Sequence, residues 1–389
     1  ALLFDVIFDE ENTYKYDLVR ALSSASNNRS NDLSEATNQF LYSNDPGKFV
    51  SATANSNQTY HAIVFEEEDT LNFLPKMLSE PEGYEFANHI IRGVSDEAKT
   101  KLPQADRIGN TYVDLLSAST GNGSANFPQD NDGVIRRAPT AIYFDGADHV
   151  YPSLVMSAVI DILGIKKDGG FDYDFENNLL NLIDSTDTIV RTIPIDDNGR
   201  MYVNYFGKFQ TFYYLPYSYC MDPEMLPPDY WEGKVALVGA SLPGLMDLRN
   251  TPVQETFAGV EIHANVMHSI LQNDFVVVKD NVSTFYSILI LCIVIGILIS
   301  FPKKPFYALP LPILGIVGWI IYANLQFINQ LTMIEVVRPI MSIIGTFGGI
   351  FLYNYFGAEK DKRFLKNTFS TYISPELIDQ MYEPKEQPS

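Results

Sequence analysis

Arg136 and Arg137 stand side by side just after the turn signal Asn131-Asp132-Gly133, and Asp247 and Arg249 stand two residues apart further along the chain. A guanidinium is a planar fork that grips a carboxylate or phosphate through paired hydrogen bonds. If residues 134–137 form a strand, neighbouring side chains point to opposite faces. One arginine then faces a crevice and binds an anion while the other is solvated. Asp247 and Arg249 form a buried or half-buried polar pair with groups on other strands. Arg136, Arg137, Asp247 and Arg249 are therefore the candidate ligand-binding residues. The competing reading is structural ion pairing with the chain's many carboxylates.

Other chemistry is poorly provided for. The loop Gly239-Ala240-Ser241-Leu242-Pro243-Gly244 follows a strand-like run, where glycine would let a backbone approach a phosphate. It has neither the G-x-G-x-x-G spacing nor a Lys-Ser or Lys-Thr after Gly244, so a plain loop is expected. His263 and His268 are five apart on a predicted helix and do not share a face as an i, i+4 pair would, which makes a poor zinc site. The run Glu66-Glu67-Glu68-Asp69 lacks the spaced oxygens and tight turn of a calcium loop and reads as a solvated segment. No catalytic residue, metal ligand or cofactor is assigned to this chain.

The elements that carry these groups fall into two parts. The chain has 389 residues and a formal net charge of −21, a surface that repels phosphates and argues against a nucleic-acid partner. Most of the charge lies before Asp280, and nearly all the long apolar runs lie after it. Three runs, at 284–301, 307–325 and 336–356, have the ~20-residue length that spans a bilayer and no polar face. Lys303 and Lys304 lie between the first two, and Lys360, Lys362, Arg363 and Lys366 follow the third, while residues 326–330 carry no Lys or Arg. The positive-inside rule places the basic segments in the cytoplasm, the acidic domain outside and the C-terminus inside. Glu335 and Arg338, three apart on one helix face at the outer end of the third run, read as an interfacial ion pair rather than a proton site. Cys220 and Cys292 fall in different phases and are not expected to pair. Ala1 is not a start methionine, and residues 2–8 already read as a buried strand, so upstream residues including a membrane signal are expected.

Before residue 280, strand and helix signals alternate. Residues 17–22 read as a helix, 61–65 as a strand, 134–144 as strand-like, 152–163 as a helix, 188–205 as a hairpin around Asp196-Asp197-Asn198-Gly199, 234–239 as a buried strand and 259–271 as a helix. That order predicts an α/β domain, a mixed sheet flanked by helices, followed by an all-α three-helix transmembrane region and a cytoplasmic helical linker. Asp132-Gly133-Val134 with Arg136-Arg137, then Tyr151-Pro152-Ser153-Leu154, resembles the central signature of the CHASE type 2 extracellular sensor domain. So do Gly233 to Ala240, Leu245 to Asp247, Arg249, Thr251-Pro252 and Gly259-Val260-Glu261-Ile262-His263-Ala264-Asn265. The resemblance covers roughly residues 1–275, and three membrane helices directly after the domain fit the same family.

Leu365, Phe369 and Tyr372 follow spacings of four and three, a short coiled-coil-like seam suited to a parallel dimer, or an amphipathic face packing on its own chain. Ser374 caps a new helix whose first position is Pro375. The run from Phe369 to Ile378 resembles the linker that enters class III adenylate and guanylate cyclase domains, with Ser370-Thr371 where the family often has Gly-Arg. The resemblance implies a dimeric cytoplasmic cyclase domain beyond Ser389 that makes cyclic AMP from ATP with magnesium or manganese. Leu365, Phe369, Tyr372, Ser374 and Pro375 would relay the signal to it. The expected organisation is a sensor domain over 1–280, three transmembrane helices over 281–357 and a signalling helix with linker over 358–389. Expected partners are a second copy of the chain, membrane lipid and an unidentified extracytoplasmic ligand or protein. A histidine kinase or diguanylate cyclase output, and a non-enzymatic membrane binding or assembly protein, are the alternative readings.

Overall fold

The computed structural model describes residues 1–5, 46–66, 77–78, 90–109, 113–145, 148–220, 225–227, 229–241, 248–301 and 308–369. Two units emerge, Ala1–Val276 and Val277–Ser389. The first is built on four parallel strands: β1 (Leu2–Asp5), β2 (Thr59–Glu66), β3 (Gly121–Ser124) and β4 (Ala236–Gly239). β1 pairs β4 on one side and β2 on the other, and β2 pairs β3, so the spatial order is β4-β1-β2-β3. The far end of β2 also pairs antiparallel with Arg107–Gly109, which makes the sheet mixed.

Helices cover this sheet. α1 (Pro46–Ser56) precedes β2, α2 (Leu154–Leu163) packs across β3, and α3 (Gly259–Gln272) lies against β4. α2 has an almost wholly apolar sequence and is correspondingly buried from Leu154 to Ile160. Ser153 starts it by accepting from the Met156 amide, and Gly164 ends it in the left-handed conformation at φ 66°. Gly123 explains how it comes so close. A Cβ there would lie 2.5 Å from the Ser153 carbonyl oxygen, so only glycine lets β3 meet the start of α2. Leu3, Ala62, Val155, Val159, Ile262 and Val266 share the resulting core.

The antiparallel parts lie outside this sheet. Residues 171–174, 179–183 and 189–194 form a three-stranded meander, and Arg200–Tyr202 pairs with Arg137–Pro139. The hairpin expected over 188–205 is therefore absent. The tight turn at 196–199 exists, held by Asp196 accepting from the amides of Asn198 and Arg200, but its two arms join different sheets. The turn is a local hydrogen-bonding preference of aspartate, whereas strand partners are chosen by distant apolar packing. β4 is half-buried along its length rather than fully buried. Residues 134–136 are not strand. The helix expected at 17–22 lies outside the described residues.

The second unit has three helices long and apolar enough to cross a membrane: α4 (Asn281–Ser300), α5 (Pro310–Gln330) and α6 (Val337–Phe369), the last apolar over Val337–Gly357. The mean hydropathies of their apolar stretches are 2.7, 1.7 and 1.3. Twenty residues at ~1.5 Å each make about 30 Å, the thickness of a hydrocarbon core. α5 runs five residues past its expected end because Gln326, Asn329 and Gln330 continue the helix in its last turns. Asp280 caps α4 through the Ser283 amide. Ile295, Ile299, Ala308 and Ile343 form the bundle's small core.

Candidate functional site

The order β4-β1-β2-β3 reverses direction between β1 and β4. In open parallel sheets such a reversal opens a crevice at the carboxyl ends of the two central strands. Asp5 ends β1 there and Gly239 ends β4. Alternation along β1 puts Asp5 on the same face as Leu3, towards the core that α3 helps to form. From α3, His263 brings its Nε2 to 3.5 Å from Asp5 Oδ1. The ring is only 2% exposed, Phe127 lies across it at 4.5 Å between ring centres, and among the described residues its Nε2 has no hydrogen-bond partner. The opposite face of the sheet carries a second buried imidazole. His61 stacks on Phe4 at 4.7 Å, and burial pushes its pKa down to about 4, so it stays neutral.

α3 also anchors a long loop. Glu261, 2% exposed, accepts from the amides of Gln210 at 3.0 Å and Thr211 at 2.9 Å and from the Tyr214 hydroxyl at 3.0 Å. One turn on, Asn265 accepts from the Phe206 amide and donates to the Glu261 carbonyl. The segment 206–214 therefore hangs on a polar stripe of α3. Burial, then the Glu261 charge, raises the Tyr214 pKa, so the hydroxyl stays a donor. Sequence reading assigned no role to Glu261 or Asn265. Their i, i+4 spacing, which places both on one face of the helix, is the available signal.

Arg136 and Arg137 do not part to opposite faces. Arg136 precedes the short strand, and both guanidinium groups converge on Asp130. Arg136 also grips Asp132 with two bonds of 2.9 and 2.7 Å, and Arg137 donates to Asp196 at 2.8 Å, which also accepts from Arg200 Nε. Three carboxylates and three guanidinium groups alternate in one chain that ties residues 130–137 to the 196–200 turn. Burial opposes charge on Asp130, but the hydrogen bonds from Arg137 and Arg136 outweigh it and hold the carboxyl below its ordinary value. Arg249 sits in the two-residue strand Leu248–Arg249, and the adjacent Asn250 carbonyl accepts from the Ile135 amide at 2.8 Å. The 135 and 250 backbones are thus neighbours. Asp247 lies outside the described residues.

In the second unit Glu335 is not on the helix with Arg338; it precedes α6 in an extended segment. Arg338 pairs with Glu335 and donates to Asn281 Oδ1 at 2.9 Å, and Trp319 Nε1 donates to the Glu335 carbonyl at 3.1 Å. These bonds tie together α4, α5 and the entry to α6. Leu365 and Phe369 lie within α6, which runs unbroken for 33 residues. Tyr372, Ser374 and Pro375 lie outside the described residues. Among the described residues Cys220 and Cys292 are free, and no cluster of three or more His, Cys, Asp or Glu could hold a metal.

A family model described as the CHASE2 domain matches residues 1–300. The chain belongs to the CHASE2 family. No curated protein and no solved structure matches it. CHASE2 is an extracellular sensor domain, and the three apolar helices make this chain a membrane-anchored sensor. The family's characteristic blocks acquire physical roles here. Tyr151 to Leu154 builds the buried start of α2, and Gly259 to Asn265 builds the stripe that holds loop 206–214 and places His263 beside Asp5.

Proposed function

We propose that this CHASE2 chain is the sensory and transmembrane portion of a bacterial receptor adenylate cyclase, relaying an outside signal to a dimeric cytoplasmic class III catalytic domain. The supporting observation is the continuity of α6. Its 33 residues extend ~50 Å, about 20 Å beyond the hydrocarbon core, as one helix from Val337 into the charged run before Phe369. A rod of this kind carries a shift or rotation at one end to the other without loss in a loop. The likeness of residues 369–378 to a cyclase entry segment supports the output, which uses magnesium or manganese in its own domain.

The receptor works as a homodimer with the CHASE2 unit outside and the C-terminus in the cytoplasm. Gly345, Gly348 and Gly349 on α6 support the dimer, because a Cβ at any of them would meet nothing within 4 Å, leaving a shallow face for close approach of another helix. A signal that favours one arrangement of the outer units shifts the population of the two α6 helices, and the seam at Leu365, Phe369, Tyr372, Ser374 and Pro375 passes that shift on. Membranes carrying the natural gene product should form cyclic AMP from ATP with manganese present, and membranes carrying residues 1–389 alone should not. Absence of cyclic AMP from both would move the output to a kinase or a diguanylate cyclase, or to a binding role without catalysis.

A further inference from the structure

A cavity of about 210 Å³ opens beside residues 90–94 of the CHASE2 unit, walled by Arg92, Lys99, Asp148 and His149 and lined on its apolar side by Ile91 and Val150. The walls are held from behind. The Arg92 amide donates to the Lys167 carbonyl, its own carbonyl accepts from Gly169, and the Ile91 amide donates to Val150, each at 2.9 Å. Lys99 spends one of its donors on Asp148 at 2.7 Å, and Tyr143 donates to the same carboxylate oxygen. Arg92 is exposed, and among the described residues its guanidinium has no carboxylate partner. His149 Nδ1 is buried and among the described residues has no hydrogen-bond partner. The Ile91 and Val150 floor is 3% and 1% exposed.

We propose that this cavity binds a short-chain carboxylate, with Arg92 and Lys99 taking the charge, His149 Nδ1 donating the third hydrogen bond and the apolar tail resting on Ile91 and Val150. Three observations select that class. Arg92, Lys99 and a ring nitrogen line one small volume whose carboxylate, Asp148, is already paired with Lys99, so Arg92 leaves the spot locally positive in a chain of net charge −21. The floor is apolar, which favours an anion with a hydrocarbon body over a bare inorganic one. The volume is below the ~300 Å³ at which pockets for drug-sized ligands begin, which limits the tail to a few carbons. Burial holds His149 below its ordinary pKa, so the ring is neutral at pH 7 and offers an N–H without a competing charge. An adjoining hollow of about 370 Å³ carries Asp96 and Asp145 and shares Asp148 and Lys99 with the cavity, which confines the carboxylate to the Arg92 end.

The site gives the proposed receptor a ligand class, but its test does not involve the output domain. The 389-residue chain in lipid nanodiscs is titrated calorimetrically with butyrate, with butyramide as the uncharged control and inorganic phosphate as the anion without a tail. Butyrate should bind and butyramide should not. Arg92→Gln, an exposed change that leaves the fold intact, should weaken butyrate by about tenfold or more, the loss of one charge-assisted pair. Lys99→Gln should weaken it in the same sense. Equal affinity in wild type and Arg92→Gln, no heat with butyrate, or tighter binding of phosphate than of butyrate would each overturn the proposal.

Discussion

Replacing Glu261 with alanine should detach segment 206–214 from α3. The carboxylate accepts two backbone N–H groups at 3.0 and 2.9 Å and one hydroxyl at 3.0 Å, with the Phe212 amide further off at 3.4 Å. Hydrogen bonds to a charged group contribute ~1.5–3 kcal/mol each where water is excluded. The outer side of the segment is wet, so the freed amides rehydrate in part, and the net loss is ~3 kcal/mol rather than the full sum. In a domain of more than ~150 residues each kcal/mol moves the midpoint by about 2–4 °C, so Tm should fall by ~6–12 °C. Glu261→Gln keeps one acceptor oxygen and should lose about half as much. Thermal unfolding gives the first number, and amide hydrogen exchange at Gln210 and Thr211 gives the second. Unchanged exchange at the Gln210 amide in Glu261→Ala would refute the anchoring role, because among the described residues only Glu261 accepts its hydrogen, whereas the Thr211 amide also donates to the Lys208 carbonyl at 3.1 Å.

Two further outcomes follow from named contacts. Hydrogen bonds from Arg136 hold Asp132 down at about 2, against an ordinary value of 3.8. A depressed carboxylate stabilises the fold above its unfolded value, and that contribution is lost as pH falls through about 2, so Asp132→Asn should flatten the acid-unfolding profile between pH 4 and pH 2. Gly123→Ala sets a methyl group 2.5 Å from the Ser153 carbonyl oxygen, and the backbone shift it forces should cost ~3 kcal/mol or more, read as lost yield or a lowered thermal midpoint.

Periodic features were legible in the sequence because burial repeats along an element. The apolar run of α2 with its Ser153 start, the extent of α3 and the three apolar helices all follow from local pattern. Pairings across the chain were not legible. Asp130, Arg137 and Asp196 belong to separate segments, and no local rule says that two adjacent arginines will turn to the same carboxylate. The arms of the 196–199 turn looked like a hairpin for the same reason, since their real partners lie at 137–139 and 179–183. The approach of His263 to Asp5 spans most of the domain and needed the order of the parallel strands. Glu261 and Asn265 were recognisable as a family block, but their hold on segment 206–214 depends on a loop that sequence pattern does not place.

Side-specific cysteine labelling tests most directly whether the CHASE2 unit and the end of α6 lie on opposite sides of a membrane. Cys220 is exposed in the first unit, and Cys292→Ser removes the only other thiol. In intact cells a membrane-impermeant maleimide should label Cys220 directly, while a cysteine introduced by Lys366→Cys in a Cys220→Ser background should react only after the membrane is permeabilised. The reverse pattern, or equal labelling of both positions in intact cells, would contradict an outer sensor joined by three spans to a cytoplasmic output.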